Sequence, residues 1–325
     1  MRGLIVSELL PDFAGCALGD MATPTPGPQD VLIKVEAAAL GFPDLLMTHG
    51  GYQHKPPLPF VPGMELAGEI VVLGDAVTGF QLGDKVVSSG FGGFAEFFCA
   101  PADRVRKLPD NMAPAQGAAF GSAYITAYVS LVRRGMLEKD EWLLVHGAAG
   151  GVGLAAVDLG KQLGAKVIAT ASKDEKLAAI NTAFAPDALI NINDGFRDKV
   201  EELTGGGADV IYDPVGGDVF DESVRCIAWG GRLLVVGFAN GRIPEISVNM
   251  PLIKGFSVVG VRAGEYGRRD PVKGAENQEA IWEMAAKGQL RPHVHATVAL
   301  SDWRDAFEMM QARDIVGRVI IDPRQ

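Results

Sequence analysis

Leu143-Leu144-Val145-His146-Gly147-Ala148-Ala149-Gly150-Gly151-Val152-Gly153-Leu154-Ala155-Ala156 decides the fold. An apolar run meets a glycine-dense turn and passes into a segment of small residues. In register the turn reads A-x-G-x-x-G, with Ala148 where G-x-G-x-x-G has its first glycine. That motif carries meaning when a strand precedes it and a helix follows, and a second apolar run from Lys166 completes the context here. Gly150 lets main chain approach a pyrophosphate, and Gly153 lets the helix lie close to the strand. The helix start presents free N–H groups and partial positive charge. Ala149, Gly150, Gly151, Val152 and Gly153 are therefore the candidate pyrophosphate residues.

Working outward, strand-like runs recur at Trp142–His146, Lys166–Thr170, Ala188–Ile192, Asp209–Tyr212, Arg232–Val236 and Phe256–Val261. Near-continuous apolar strands separated by helix-length segments belong to a parallel sheet covered on both faces. The expected class is α/β, a six-stranded doubly wound parallel (Rossmann) sheet. At the end of the second strand, where readers of NAD place an acid for the ribose 2′-hydroxyl, the chain has Ala171-Ser172-Lys173-Asp174-Glu175-Lys176. Ser172 and Lys176 could hold a 2′-phosphate by charge-assisted hydrogen bonds, so the expected cofactor is NADPH.

The first 120 or so residues read differently. Short strand-like runs such as Val31–Ala37, Glu69–Leu73, Lys85–Ser88 and Phe94–Cys99 are separated by Gly and Pro turns, which suggests a small barrel or irregular sheet. Beyond residue 262, helices are expected over Asn277–Lys287 and Asp302–Arg313, the latter with Ser301 as N-cap, and Arg318–Ile321 could close a sheet.

Composition narrows the function. Thirty Lys and Arg against 40 Asp and Glu give a net charge of −10, opposite to what tracking a nucleic-acid backbone needs. No run approaches the roughly 18 apolar residues of a membrane span, and the first residues lack a signal-peptide apolar core. Cys16, Cys99 and Cys226 are far apart and odd in number, which fits a reducing, cytoplasmic setting without a thiolate metal site. Glycine, 41 of 325 residues, is near twice its usual share of about 7%, so many turns and close backbone approaches are expected.

With these runs in hand, the chain resembles the zinc-independent quinone oxidoreductase (zeta-crystallin-like) branch of the medium-chain dehydrogenase/reductase superfamily. The markers are Pro57-Leu58-Pro59-Phe60-Val61-Pro62-Gly63-Met64-Glu65-Leu66-Ala67-Gly68, Gly83-Asp84-Lys85-Val86, Ala148–Gly153, Asp213-Pro214-Val215-Gly216-Gly217 and Gly237-Phe238-Ala239, in family order along the whole length. The resemblance implies a GroES-like β-rich catalytic domain over 1–122 and 263–325, and a Rossmann NADP(H)-binding domain over 123–262. Zinc members carry a Cys in the first loop and a His in a Gly-His-Glu triplet. Here the loop is Gly41-Phe42-Pro43-Asp44 and the triplet Gly63-Met64-Glu65; a thioether is a poor zinc ligand, so no metal is expected.

Without a Lewis acid, the chemistry implied is hydride transfer from NADPH to an already electrophilic acceptor, a quinone or a conjugated enone or enal. The resemblance offers Tyr52, Asp44 and Arg262 as catalytic residues. To the cofactor set it adds Thr126, Phe238 and Asn240 at the nicotinamide half and Arg318 at the phosphates. The branch usually has Asn where Gly41 stands, so one side-chain donor is lost. It further implies a homodimer joined through an edge strand at 256–261. An enoyl-thioester or 2-alkenal reductase, and a non-catalytic NADPH-binding protein, remain alternatives.

Overall fold

The second apolar run pairs with the first as expected: in the computed structural model, which describes residues 1–325, Trp142 to Val145 lie opposite Lys166 to Ala169 in parallel register. The chain divides into two units, Met1–Gly121 with His293–Gln325, and Ser122–Pro292.

The second unit carries six parallel strands: β1 (Trp142–Val145), β2 (Lys166–Ala171), β3 (Ala188–Asn191), β4 (Ala208–Asp213), β5 (Ile227–Val235) and β6 (Ser257–Gly260). They lie in the order β3-β2-β1-β4-β5-β6, which reverses direction between β1 and β4. Helices α1 (Gly151–Gln162), α2 (Asp174–Phe184), α3 (Arg197–Thr204) and α4 (Gly217–Ser223) fill the first four crossovers. Leu143, Leu144, Val145, Val167, Ile168, Val210, Ile211, Leu233 and Leu234 are all buried, which is why these strands read as unbroken apolar runs. The sixth strand lies at the sheet edge, as expected.

The first unit is built on a seven-stranded sheet. Strand Asp30–Leu40 is its hub, pairing antiparallel with Glu65–Leu73, Phe97–Pro101 and Arg318–Asp322. Its inward residues Val31, Ile33, Val35, Ala38 and Leu40 form one core with Leu66, Ile70, Phe94, Phe307 and Ile321.

Three expectations need correction. Residues 263–292 belong to the second unit, not to the unit that contains the N-terminus. The helix expected from Asn277 begins at Pro271 and runs to Ala286; Asp270 caps it by accepting from the Lys273 N–H at 3.0 Å, and Pro271 suits a first turn that needs no donor. Ser301 does not cap the next helix: its hydroxyl bonds the Asp302 carboxylate, and Trp303–Gln311 starts without a side-chain cap.

Gly153 carries the tightest constraint in the sheet's central crossover. A Cβ there would collide with the Gly147 carbonyl group, whose carbon lies 2.9 Å from that position, and with Ala148 Cα at 3.0 Å. Both obstacles are main chain and cannot rotate away. Gly153→Ala should therefore destabilise the protein by about 1–3 kcal/mol, the usual cost of overpacking. Denaturant unfolding measures this, and an unchanged midpoint would contradict the packing described.

Candidate functional site

The carboxyl ends of parallel strands share one edge, and in the second unit that edge gathers most of the candidate cofactor residues. After β1, the main chain turns through Gly147, with the Gly150 N–H donating to the Gly147 carbonyl at 2.9 Å, and enters α1 with Gly150 as N-cap. No side chain caps α1 and its first turn holds no acid, whereas α2, α3 and α4 begin with Asp174 and Glu175, Asp198 and Asp218. The first-turn N–H groups of Gly151, Val152 and Gly153 therefore remain available to an anion. Ala149 is buried beneath the turn. A Cβ at Gly150 would meet nothing closer than 3.4 Å, so the chain's own packing does not demand that glycine. The donor set and the clearance suit a dinucleotide pyrophosphate.

Ser172 is exposed just past β2, and Lys176 lies one turn into α2. Asp174, the acid closest to that strand end in sequence, is engaged by the Asn191 amide at 2.6 Å, and the Ser172 carbonyl accepts from Asn193 at 3.0 Å. After β4, the Asp213 carboxylate accepts from the N–H groups of Val215 (2.8 Å) and Gly216 (2.9 Å), and burial pushes its pKa up. This Asx turn receives the loop beyond β5. The N–H groups of Ala239 and Asn240 donate to the carbonyls of Pro214 and Val215 at 3.0 and 2.9 Å, which sets Phe238 and Asn240 over Gly216 and Gly217. Arg262 is exposed two residues beyond β6. Thr126 stands in helix Pro114–Tyr128, its hydroxyl donating to the Ser122 carbonyl at 2.7 Å.

The first unit holds a different arrangement. Asp44, on helix Phe42–Met47, is 1% exposed, and both its oxygens are occupied by main chain: Oδ2 accepts from the Gly41 N–H and Oδ1 from the Gly63 N–H, each at 2.9 Å. Gly63 is obligatory, since at φ +93° a Cβ would lie 2.7 Å from the Phe94 nitrogen. Burial pushes Asp44 up to about 6 despite these donors and the nearby Arg318 charge. Asp44 thus ties the loop at 41 to the turn at 63, two places where a zinc member would place ligands. Met64 packs on the core instead, and the structure contains no group of three His, Cys, Asp or Glu able to hold a metal.

Arg318 stands apart from the phosphate role expected of it. The residue is 9% exposed, and its guanidinium donates to Glu65 at 2.6 Å in the first unit, a buried ion pair spanning 253 residues of sequence. This pair engages Nη2, while Nε of the same guanidinium is buried without a hydrogen-bond partner. A side chain at Gly41 would point between Asp44 Oδ2 and Arg318 Nη2, at 3.2 and 3.9 Å from its Cβ; none stands there. Tyr52 is half-buried in the loop beyond Met47, its ring against the first unit's core. Sequence reading noticed Glu65 only as part of the Gly63-Met64-Glu65 triplet and His146 only as the end of a strand-like run. The buried roles of both come from long-range contacts that leave no local signature.

Comparisons with known proteins agree with this geometry. Residues 27–110 match the alcohol dehydrogenase GroES-like domain family and residues 151–278 the zinc-binding dehydrogenase family. The chain is 40% identical over 304 residues to a quinone oxidoreductase-like protein 2 homolog of Nematostella vectensis, covering 92% of this chain and 83% of the relative. It is 32% identical to the quinone oxidoreductase of Homo sapiens, covering 93% and 92%. A mycobacterial structure solved in complex with NADPH superposes with a TM-score of 0.87 at 29% identity, over 99% of this chain and 100% of the other. The chain belongs to the zinc-independent quinone oxidoreductase branch of the medium-chain dehydrogenase/reductase superfamily, a family of oxidoreductases.

The Asp44 clamp has a thermodynamic signature. Asn in its place would present an amide N–H to one of two main-chain donors, so Asp44→Asn should lose about 1–3 kcal/mol at pH 7 although it removes a buried charge. The pH sign follows from the raised value. Below about 6 the folded protein binds a proton here, while the unfolded aspartate stays ionised down to about 4. This group's contribution to stability therefore rises as pH falls from 6 towards 4, a slope that Asp44→Asn removes. Denaturant unfolding at several pH values checks both; equal stability of the two proteins at pH 7 would contradict the clamp.

Proposed function

We propose that this member of the branch takes reducing equivalents from NADPH and reduces a quinone or another conjugated carbonyl compound without a metal. The observation that carries the reading is the carboxyl edge of the six-stranded sheet. There an uncapped, acid-free helix start at Gly150–Gly153 adjoins a strand end that bears Ser172 where an NAD reader would carry an acid. NADPH, when bound, supplies hydride to an electrophilic carbon of the acceptor.

The chain's own part is binding and orientation. The first-turn N–H groups of α1 hold the pyrophosphate, and Ser172 and Lys176 hold the 2′-phosphate. Thr126, Phe238 and Asn240 bound the nicotinamide half. Tyr52 donates its phenolic proton in a hydrogen bond to the acceptor's carbonyl oxygen, where negative charge develops. Asp44 acts at one remove. It fixes the start of helix Phe42–Met47, after which the Gly50 and Gly51 N–H groups donate to Met47 and Leu46 and set the turn into Tyr52. Arg262 adds positive charge beyond β6.

Assembly follows from the second unit's sheet edge. β6 is exposed, and Trp229 (81% exposed), Leu252, Ile253 and Val258 add apolar surface on β5, β6 and the segment between them. A second copy related by a two-fold axis would extend the sheet and cover that edge. The three cysteines are free thiols, which supports a reducing compartment such as the cytoplasm.

Two measurements test these readings. Purified protein should oxidise NADPH with 1,4-quinones or conjugated enals, at a rate unchanged by a zinc chelator. No turnover with either class, or loss of activity on chelation, would overturn the reading, and turnover confined to enoyl thioesters would favour the alternative reductase. Static light scattering at micromolar concentration should return twice the mass of one chain, and a species of 34.4 kDa would overturn the dimer.

A further inference from the structure

His146 follows β1 directly, precedes the glycine turn, and is 0% exposed. Its ring makes two hydrogen bonds, Nε2 to Ser223 Oγ at 2.9 Å and Nδ1 to Thr170 Oγ1 at 3.1 Å. The tautomer follows from the neighbours. The Ser223 hydroxyl donates its one proton to the Val219 carbonyl at 2.6 Å, so towards the imidazole it can only accept. Nε2 must then carry the ring proton, and Nδ1 must accept from the Thr170 hydroxyl. The Phe196 ring lies 4.7 Å away, centroid to centroid, and completes an apolar wall. Burial pushes the imidazole down to about 3, so it stays neutral across the physiological range.

The partners give the ring its meaning. Thr170 is two residues before Ser172, at the end of β2. Ser223 closes α4, the helix that begins after the Asp213 turn. The main chain repeats the ties: the His146 N–H donates to the Tyr212 carbonyl at 3.0 Å, and the Ala148 N–H to the Thr170 carbonyl at 3.1 Å. One buried ring therefore joins the glycine turn, the strand end bearing Ser172, and the helix behind the loop that carries Phe238 and Asn240.

We infer that His146 is a positioning residue of the cofactor cradle: as the Nε2–H tautomer it holds the end of β2 at a set distance from the glycine turn, so that one ligand can reach both the α1 start and Ser172. This rests on the reading of that edge as an NADPH site. Because the link to β2 runs through Thr170, its loss falls chiefly on the 2′-phosphate. NADH, which lacks that group, is affected less.

The test compares wild type, Thr170→Val, His146→Leu and His146→Gln by fluorescence titration with NADPH and with NADH, beside thermal unfolding of each protein. Thr170→Val should weaken NADPH about five- to tenfold, the effect of one lost hydrogen bond, and NADH much less. His146→Leu should weaken NADPH further, and His146→Gln, which keeps a donor towards Ser223, should recover part. Should His146→Leu fail to fold, Thr170→Val decides alone. Unchanged NADPH binding in Thr170→Val, or equal weakening of both nucleotides in step with melting temperature, would overturn the inference. So would nitrogen-15 spectra placing the wild-type ring proton on Nδ1. A wild type that binds neither nucleotide would overturn the cofactor reading and this inference with it. That failure is told apart because it shows before any substitution is made.

Discussion

The first-turn N–H groups of α1 have no acceptor within their own helix, and the chain provides no side chain to cap them. Much of the second unit can be understood as arranging the surroundings of that unmet need. The turn before α1 is drawn so tight that Gly153 cannot carry a Cβ against the Gly147 carbonyl group. β1 and β4 lie side by side where the strand order reverses, so the crossovers on either side diverge and leave the α1 start open at the carboxyl edge. The Asp213 turn and the buried His146 ring fix the neighbouring strand ends to the same frame. Buried Asp44, His146, Asp158 and Asp213 find partners within the protein. The first-turn N–H groups are left for a ligand, and an acid-free helix start selects an anionic one.

The first unit solves a different problem, holding two loops together without a metal. Asp44 does so with its two oxygens on two main-chain donors, and Arg318 with Glu65 sets a neutral pair beside it. Full burial of a carboxylate is costly, which is why Asp44 is pushed up despite a nearby guanidinium. A clamp of this kind takes one main-chain hydrogen bond on each oxygen and so fixes the loop it holds.

What the sequence revealed follows from what is local in the chain. The central parallel strands were legible because strands buried on both faces need apolar residues at consecutive positions, the two edge strands because their short runs are apolar too, and the turn motif because its glycines lie within seven residues. Strand ends were less so: β5 begins at Ile227, because Trp229-Gly230-Gly231 reads as a turn yet belongs to the strand. Residues 263–292 were set in the wrong unit, since an amphipathic helix shows which face is buried and not against what. The ion pair of Arg318 was not legible, because its partner Glu65 lies at the far end of the chain. Ala149–Gly153, Ser172 and Lys176 could be proposed from the residues alone because each lies within a few residues of a strand end, whereas Thr126 lies inside a helix and came only from the resemblance.

The central claim is that the edge formed by Gly147–Gly153 and Ser172 is a site for a dinucleotide carrying a 2′-phosphate. Equilibrium titration of the wild-type protein with NADPH and NADH at one ionic strength tests it most directly. NADPH should bind at least about tenfold more tightly, the discrimination that a single charge-assisted contact provides. Equal affinities, or tighter binding of NADH, would contradict the account.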